Sequence, residues 1–316
     1  MDLQSDVLTV GFLVSLLAGA IRLSIPILLP ALGEIFTQRS GILNLGLEGI
    51  MLMGALGGFA GTFFTHNLWI GLLCAVFVGI LFSLIMAFLS ITVKANQVIA
   101  GTALTILGTG LSAFLFRAIF GIQKLPPQVE SFQPLKFPIL TDIPVLGPIF
   151  FNHNILVYLT LVLVIVTAVV LEKTTFGLKV RAVGENPKAA DSKGIHVQLV
   201  RYICVAIGGA YAGLGGAFLS IGFMSTFLDR MVSGRGFIAV AVVIFARWNP
   251  YRALAAALLF GGADALQMRF QAIGVPIPHQ FLLALPYVLT ILVLVSVSKK
   301  AEFPAAYTLP YTRAER

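Results

Sequence analysis

Several polar side chains lie inside or beside long apolar stretches of this sequence, where they could bind a polar solute through hydrogen bonds. Asn44 and Glu48 are four residues apart, so on a helix they would share one face. Asn96 and Gln97 precede an apolar stretch that carries Thr105, and their amide groups offer paired donors and acceptors. The competing interpretation is structural: Glu48 would close a hydrogen bond between helices, and threonines would bond to their own backbone. The sequence leaves both interpretations open.

Arg235 is a sixth candidate, and it stands just before an apolar run of only eleven residues, 236–246. A helix of that length rises about 16 Å, roughly half the thickness of the hydrocarbon core. Together with the irregular residues 222–235, it predicts one broken, partly re-entrant crossing, which is tolerated only where protein or a cavity covers the backbone. Arg235 could meet a polar solute there, or it could lie at the outer interface of the membrane. Ser-Gly dipeptides at 40 and 233 precede apolar stretches that would cross the membrane in opposite directions, which would fit an inverted repeat.

The composition requires a membrane around these residues. Apolar residues make up 58% of the 316-residue chain and charged residues only 11%, against about 25% in a soluble domain. We therefore predict an all-α, polytopic transmembrane bundle forming a single domain over residues 1–316. Nucleic-acid binding is not expected, because the basic residues lie in loops between apolar stretches. Cys74 and Cys204 lie inside apolar stretches, and we expect no catalytic residue, no metal site and no cofactor.

The apolar stretches predict about nine crossings, with a range of eight to ten, since each needs about 20 residues. Eight stretches have that length, and the short run 236–246 is the ninth: 8–33, 45–64, 69–92, 98–117, 153–171, 202–222, 253–268 and 280–298. The Lys/Arg-rich segment 172–201 lies between two of them and is expected on the cytoplasmic side. Counting from it places the N-terminus outside and the tail, 299–316, inside.

Residues 118–152 then form an extracytoplasmic loop rich in proline. Proline favours extended and turn conformations over helix. Six prolines occur in this loop: Pro126, Pro127, Pro134, Pro138, Pro144 and Pro148. A loop of this length and apolar character would suit docking of an external partner, and the alternative is a spacer packed over the bundle.

The segment 172–201 carries the signals of a short helix. Asn186 supplies an N-cap oxygen, Pro187 suits the first helical position, and Gly194 supplies the stop. A helix of about two turns, roughly 187–193, is too short to be stable alone and must pack against a partner. The chain has no G-x-x-x-x-G-K-[ST] phosphate loop, so any ATP hydrolysis belongs to another subunit.

The same segment resembles the cytoplasmic coupling loop of ABC importer permeases in the branched-chain amino acid and ribose superfamily. The family pattern T-x-x-G-x-x-x-R-A-V-G-E-N-P-x-A-A-x-x-x-G-I occurs over residues 174–195. Thr105 stands where the family usually has asparagine. Further stretches similar to the family cover nearly the whole chain: 40–49, 96–101, 143–148, 234–239 and 285–292.

The resemblance is closest to the nucleoside-uptake branch and implies a permease subunit, not an enzyme, in the bacterial cytoplasmic membrane. It implies three protein partners: a cytoplasmic ABC ATPase, a second homologous permease and an extracytoplasmic substrate-binding lipoprotein. It also implies that the substrate is a nucleoside. A simple sugar or a branched-chain amino acid is the alternative substrate. The residues that would couple to the ATPase are Gly184, Glu185, Asn186, Pro187, Ala189, Ala190 and Gly194.

An ion-gradient-driven secondary transporter is the alternative from a different class. It would need titratable or Na⁺-coordinating groups near the middle of the membrane. Glu48 and Asp264 are the acidic residues that could serve.

Overall fold

The computed structural model shows an all-helical chain. It describes residues 10–122, 126–135, 137–138, 140–274 and 303–312, and, between the last two ranges, residues 278, 280–282, 284, 285, 288, 291, 292 and 295. Over this part of the chain there is no β-strand, and a single antiparallel bridge joins Pro134 to Asn154. The expected all-α fold is confirmed.

Eleven helices are described before residue 274, and two of them continue into π-helical turns. In chain order they are α1 (Val10–Arg39), α2 (Leu47–Thr65), α3 (Leu68–Ala87, with π turn Phe88–Thr92), α4 (Gln97–Phe120), α5 (Leu146–Phe150), α6 (Ile155–Lys173), α7 (Thr175–Glu185), α8 (Pro187–Ser192), α9 (Val197–Ala217, with π turn Phe218–Met224), α10 (Arg235–Phe245) and α11 (Pro250–Ile273).

Six of the described helices are long and apolar enough to cross a membrane: α1, α2, α3, α4, α6 and α9. The helix α10 is apolar but has only 11 residues, as the sequence predicted. The helix α11 has 24 residues and carries Arg252, Asp264 and Arg269, and it is not among the six. Much of the expected last crossing, 280–298, lies outside the described residues, as do 299–302 and 313–316 of the tail. The expected count of about nine crossings is therefore not confirmed.

The first connection differs from the sequence prediction. The helix α1 continues to Arg39, six residues beyond the expected end of the first span. Gly41 then adopts a φ of +91°, which turns the chain out of the helix, and α2 begins only at Leu47. Residues 40–46 therefore form a non-helical connection inside the bundle.

The helix α9 lies at the centre of the bundle and packs against α1, α2 and α3. Its close approach to α2 depends on small residues, as is common where membrane helices cross. A Cβ added at Gly54 of α2 would lie 2.5 Å from the Cα of Gly213 on α9. The glycines of these helices thus serve as contact points between backbones.

The bundle has two distinct ends. The first is named the coupling end, after the coupling loop that the resemblance implies for residues 172–201. There the Ala306 N–H donates to the Gly184 carbonyl and the Thr308 N–H to the Gly41 carbonyl, both at 2.9 Å. At the second, the loop end, the Val129 N–H donates to the Ser225 carbonyl at 2.9 Å. The proline-rich residues 126–135 thus pack on the end of α9.

Candidate functional site

The carboxylate of Glu48 joins the start of α2 to the start of α10. Glu48 is buried, and its Oε1 and Oε2 accept hydrogen bonds from the backbone N–H groups of Gly234 and Gly236 at 2.7 and 2.8 Å. These N–H groups have no partner inside α10, and the positive end of a helix dipole favours a negative charge. A Cβ at Gly236 would lie 2.5 Å from the Glu48 nitrogen, so only glycine fits there. Both carboxylate oxygens are therefore engaged in binding the neighbouring helix.

Asn44 lies in the connection before α2, so it does not share a helix face with Glu48. The expected i, i+4 arrangement is wrong, because the helix begins at Leu47 rather than after Gly41. The Asn44 Oδ1 instead accepts a local hydrogen bond from the Gly46 N–H at 2.9 Å. Its Nδ2 is buried and has no partner among the described residues.

Two of the three candidates on or beside α4 hold the same connection in place. Asn96 caps α4, accepting from the Val98 N–H at 2.9 Å. The Gln97 Oε1 accepts from the Leu43 N–H at 2.8 Å, and the Thr105 Oγ1 donates to the Leu45 carbonyl at 3.1 Å. A connection without helical hydrogen bonds needs such partners when it is buried. These side chains support the backbone and do not meet around a cavity.

Arg235 lines a cavity of about 360 Å³ between the start of α10 and α11, towards the loop end. Its Nη2 lies 3.4 Å from the Asp264 Oδ2, and the two side chains are only 15% and 11% exposed. The Arg235 guanidinium is therefore paired with Asp264 beside this cavity, and its place relative to the outer interface of the membrane stays a prediction. Gln267, one turn after Asp264, lines the same cavity. Its volume is in the lower part of the range of small-molecule sites, about 300 to 1,000 Å³.

The short helix predicted over roughly 187–193 is present as α8, which is one residue shorter than expected. Asn186 ends α7 and caps α8, accepting from the Ala189 N–H at 3.0 Å, and Pro187 occupies the first turn. Ala190 is buried and anchors the helix, whereas Asn186 and Ala189 are exposed. Gly194, with a φ of +82°, ends the segment.

The helix α7, just before it, was not predicted from the sequence. Thr174 caps it by accepting from the Gly177 N–H at 3.2 Å. Phe176, Val180 and Val183 recur at helical spacing, and this pattern could have revealed the helix. Gly184 lies against the end of α1, and a Cβ there would collide with the Arg39 carbonyl.

A buried polar network at the end of α1 was also missed. The Glu34 Oε1 accepts from the Gln38 Nε2 and from the Asn44 N–H, each at 3.0 Å. The Trp248 Nε1 donates to the Gln38 Oε1 at 2.9 Å, which ties the turn between α10 and α11 to α1. Sequence reasoning ended the first span at 33 and so left Glu34 and Gln38 unexamined, although they are an i, i+4 polar pair. Burial raises the pKa of nearby Tyr307, and the charge of Glu34 raises it further.

No group of three or more His, Cys, Asp or Glu side chains that could hold a metal occurs among the described residues. Cys74 and Cys204 are both free, and Cys204 is buried. The chemistry of the described site is hydrogen bonding and charge pairing.

Six helices of membrane-spanning length, a short apolar helix and a buried charge pair between helices define a multi-pass membrane protein. A family model described as "Branched-chain amino acid transport system / permease component" matches residues 16–295, and the chain belongs to that family. As an ABC transporter permease component it acts with an ATPase partner and other subunits, and it is not itself an enzyme.

Three relatives match over most of their length. The guanosine ABC transporter permease protein NupQ of Bacillus subtilis is 41% identical over 92% of this chain and 94% of its own. A provisionally named glucose ABC transporter permease protein, TsgC13 of Haloferax volcanii, is 42% identical over 84% of this chain and 80% of its own. The nucleoside ABC transporter permease protein NupC of Lactococcus lactis is 35% identical over 95% and 97%.

Proposed function

We propose that this chain forms the membrane pathway of an ABC importer that takes up nucleosides. The observation that carries the proposal is the similarity, over nearly the full chain, to permease proteins named for guanosine and for nucleosides. The relative named for glucose supports a simple sugar as the second candidate substrate. Nucleosides and sugars share a hydroxylated ring, so a site that binds ribose through hydrogen bonds suits both classes.

The coupling end faces the cytoplasm in this proposal, and the membrane is the cytoplasmic one. The basic segment 172–201 lies at this end, and contacts to Gly41 and Gly184 bring residues 303–312 to the same end. Short loops rich in Lys and Arg are retained on the cytoplasmic side. The N-terminus is then outside and the C-terminus inside, with nine crossings if α10, α11 and the stretch 280–298 each complete one.

The substrate passes the cavity at the start of α10. Arg235, Asp264 and Gln267 line this cavity and supply both donors and acceptors to a hydroxylated ligand. Glu48 acts indirectly, by holding the N-terminus of α10 against α2. Asn44, Gln97 and Thr105 act more remotely still, by fixing the connection 40–46, and Asn96 acts by capping α4. The meeting of the starts of α2 and α10 supports the inverted repeat, since such sites form where half-crossings meet.

The helix α8 docks on a separate cytoplasmic ATPase. Its exposed residues include Lys188 and Ala189, and the preceding Glu185 and Asn186 are also exposed. A six-residue helix is not stable alone, so a groove on the partner would complete its packing. Gly184, Pro187, Ala190 and Gly194 shape this helix and its attachment to the bundle.

Two further partners belong to the proposal. A second, homologous permease would complete the pathway by covering apolar side chains such as Ile99, Ile106 and Phe114, which lie on one face of α4 and are at least 66% exposed. An extracytoplasmic binding lipoprotein would dock at the loop end. Residues 126–135 pack against α9, which supports the spacer interpretation for that part, so the docking surface would be formed by the packed loop as a whole.

Uptake assays test the substrate. Cells that lack this chain should lose uptake of radiolabelled guanosine and regain it when the chain is restored. Excess unlabelled nucleoside should compete with the label, whereas excess glucose should not. Competition by glucose, with loss of glucose uptake in the deletion strain, would support the sugar candidate instead. Vesicles should require ATP, and uptake driven by a proton or sodium gradient alone would contradict the ABC mechanism.

A further inference from the structure

The C-terminal segment 303–312 contacts four separate elements at the coupling end. Its backbone bonds to Gly41 after α1 and to Gly184 in α7, as described above. Arg201 in α9 donates to the carbonyl of Leu309 at 3.1 Å. The ring of Phe303 packs edge-on against Trp248, in the turn between α10 and α11, with centroids 5.2 Å apart. A short segment that touches all four elements can transmit a displacement between them.

Arg201 is the fixed point of these contacts. It is only 1% exposed, and its Nε donates to the Ser40 carbonyl at 3.1 Å. No carboxylate lies within ion-pair distance of it among the described residues, and the hydrogen bonds of its guanidinium go to backbone carbonyls. The carbonyl end of α1 is the negative end of its dipole and favours a cation. A buried charge is costly without hydrogen-bond partners, so the guanidinium of Arg201 needs the Leu309 carbonyl as an acceptor in order to stay buried.

The packing around Gly41 shows how closely the segment is docked. A Cβ at Gly41 would lie 2.9 Å from the Ala306 carbonyl oxygen and 3.0 Å from the Arg201 Nη2. The segment therefore fits against the end of α1 with no room for a side chain between them. Thr308, by contrast, has an exposed side chain and contributes only its backbone, with a φ of +60°.

The segment also links α7 to α10, the helix that begins beside the proposed substrate cavity. Trp248, which packs against Phe303, donates its Nε1–H to Gln38 of α1 and follows directly after α10. The other end of α10 begins at Arg235, beside the cavity. A rigid helix of 11 residues thus connects the contact with Phe303 to the proposed pathway.

We propose that Arg201 and the segment 303–312 form a relay that transmits movement of α7 and α8 to α10 during transport. Arg201 is a positioning residue in this relay, because it holds the segment in place and touches no substrate. The relay rests on the coupling role proposed above for α8. It adds that docking of the ATPase is not sufficient for transport, since the displacement must also pass through the C-terminal segment.

Two truncations test the relay in the complete transporter reconstituted in liposomes. One removes residues 303–316, and the control removes only 313–316. The longer truncation should assemble with the ATPase and keep its ATP hydrolysis, while substrate uptake per ATP falls about tenfold, a typical size for a lost coupling between sites. The control should match the full chain. A merely structural role of the segment would instead lower assembly, hydrolysis and uptake together.

A matched pair at Thr308 separates the backbone contact from general damage. Thr308→Pro removes the N–H that bonds to Gly41, and its ring cannot adopt the positive φ. Thr308→Gly keeps the N–H and adopts that φ freely. Uptake per ATP should fall in the first variant and stay unchanged in the second. Arg201→Met should reproduce the effect of the proline variant.

The outcomes distinguish the relay from the coupling role on which it rests. Full uptake per ATP in the longer truncation and in Thr308→Pro would overturn the relay, and so would a parallel loss of assembly and hydrolysis in both. If replacing Glu185, Asn186 and Pro187 together abolishes uptake while the longer truncation does not, only the relay fails. If that triple variant retains uptake, the coupling role of α8 itself fails.

Discussion

Two mostly buried arginines of this protein are held in opposite ways. Arg235, at the start of α10, faces the carboxylate of Asp264 and lines a cavity. Arg201, at the start of α9, lies against the end of α1 and donates to the carbonyls of Ser40 and Leu309. The first arginine has a partner of opposite charge, whereas the second donates its hydrogen bonds to neutral backbone carbonyls.

The difference indicates what each arginine can do. A charge pair beside a cavity can exchange part of its hydrogen bonding for a polar ligand without leaving a charge alone. A cation held by carbonyls depends instead on the position of the backbone that carries them. Movement of that backbone would therefore break the hydrogen bonds or displace the cation with it. The same residue type thus suits the proposed substrate contact at the start of α10 and the proposed relay at the coupling end of the bundle. The four predictions below test this contrast, and each is measured by detergent-induced unfolding of the purified chain.

The largest loss of stability is expected for Arg235→Met. It leaves Asp264 largely buried without its counter-charge, which should lower the free energy of unfolding by about 3 kcal/mol. The double variant Arg235→Met/Asp264→Leu, which removes both charges, should recover most of that loss. A single variant as stable as the wild type would show that the pair is hydrated and that the contrast with Arg201 is wrong.

A smaller loss is expected for Glu48→Gln. The amide keeps one acceptor oxygen but turns an NH₂ group towards an N–H of α10, so one buried donor loses its partner, at about 2 kcal/mol. Glu172→Gln, at an exposed position, is the control and should leave the unfolding curve unchanged. Equal curves for the two variants would indicate that Glu48 does not stabilise the start of α10.

Arg201→Met should lower the free energy of unfolding by about 1 kcal/mol, less than the same substitution at Arg235, because it leaves the buried Ser40 carbonyl without a donor but no opposite charge alone. The exposed Leu309 can hydrate its freed carbonyl. The larger expected effect of this variant is on uptake per ATP. A loss of stability as large as that of Arg235→Met would reveal a structural role and weaken the proposed relay.

The smallest effect is expected for Arg117→Ala. Arg117 pairs with Asp229 at 2.6 Å at the loop end, but the side chains are 60% and 43% exposed. Exposed pairs of this kind contribute about 0.5 kcal/mol or less, because water competes and salt screens them. The unfolding curve should therefore shift little, and addition of salt should remove the shift.

The helix α8 could be predicted because its signals are local. Asn186 caps a helix through an N–H only three residues away, and Pro187 prefers the first turn whatever surrounds it. The wrong prediction that Asn44 and Glu48 share a helix face has a local cause as well. Sequence reasoning continued the helical pattern back to Gly41, whereas the chain leaves helical geometry until Leu47 because Gln97 and Thr105 offer the connection other partners.

The sequence by itself determined that the chain is an apolar, all-helical membrane protein. Contact with lipid requires an apolar composition and apolar stretches long enough to cross the bilayer, and both can be read from the sequence. It also determined the position of α8, since caps act within one turn. Only the tertiary structure decided that Glu48 binds the start of α10, that Arg235 turns to Asp264 and that Arg201 holds the C-terminal segment. These partners are far apart in sequence, up to 188 residues for Glu48 and Gly236, and no periodic pattern encodes such a contact. They form because each buried polar group must find a partner wherever the packed helices bring one within reach.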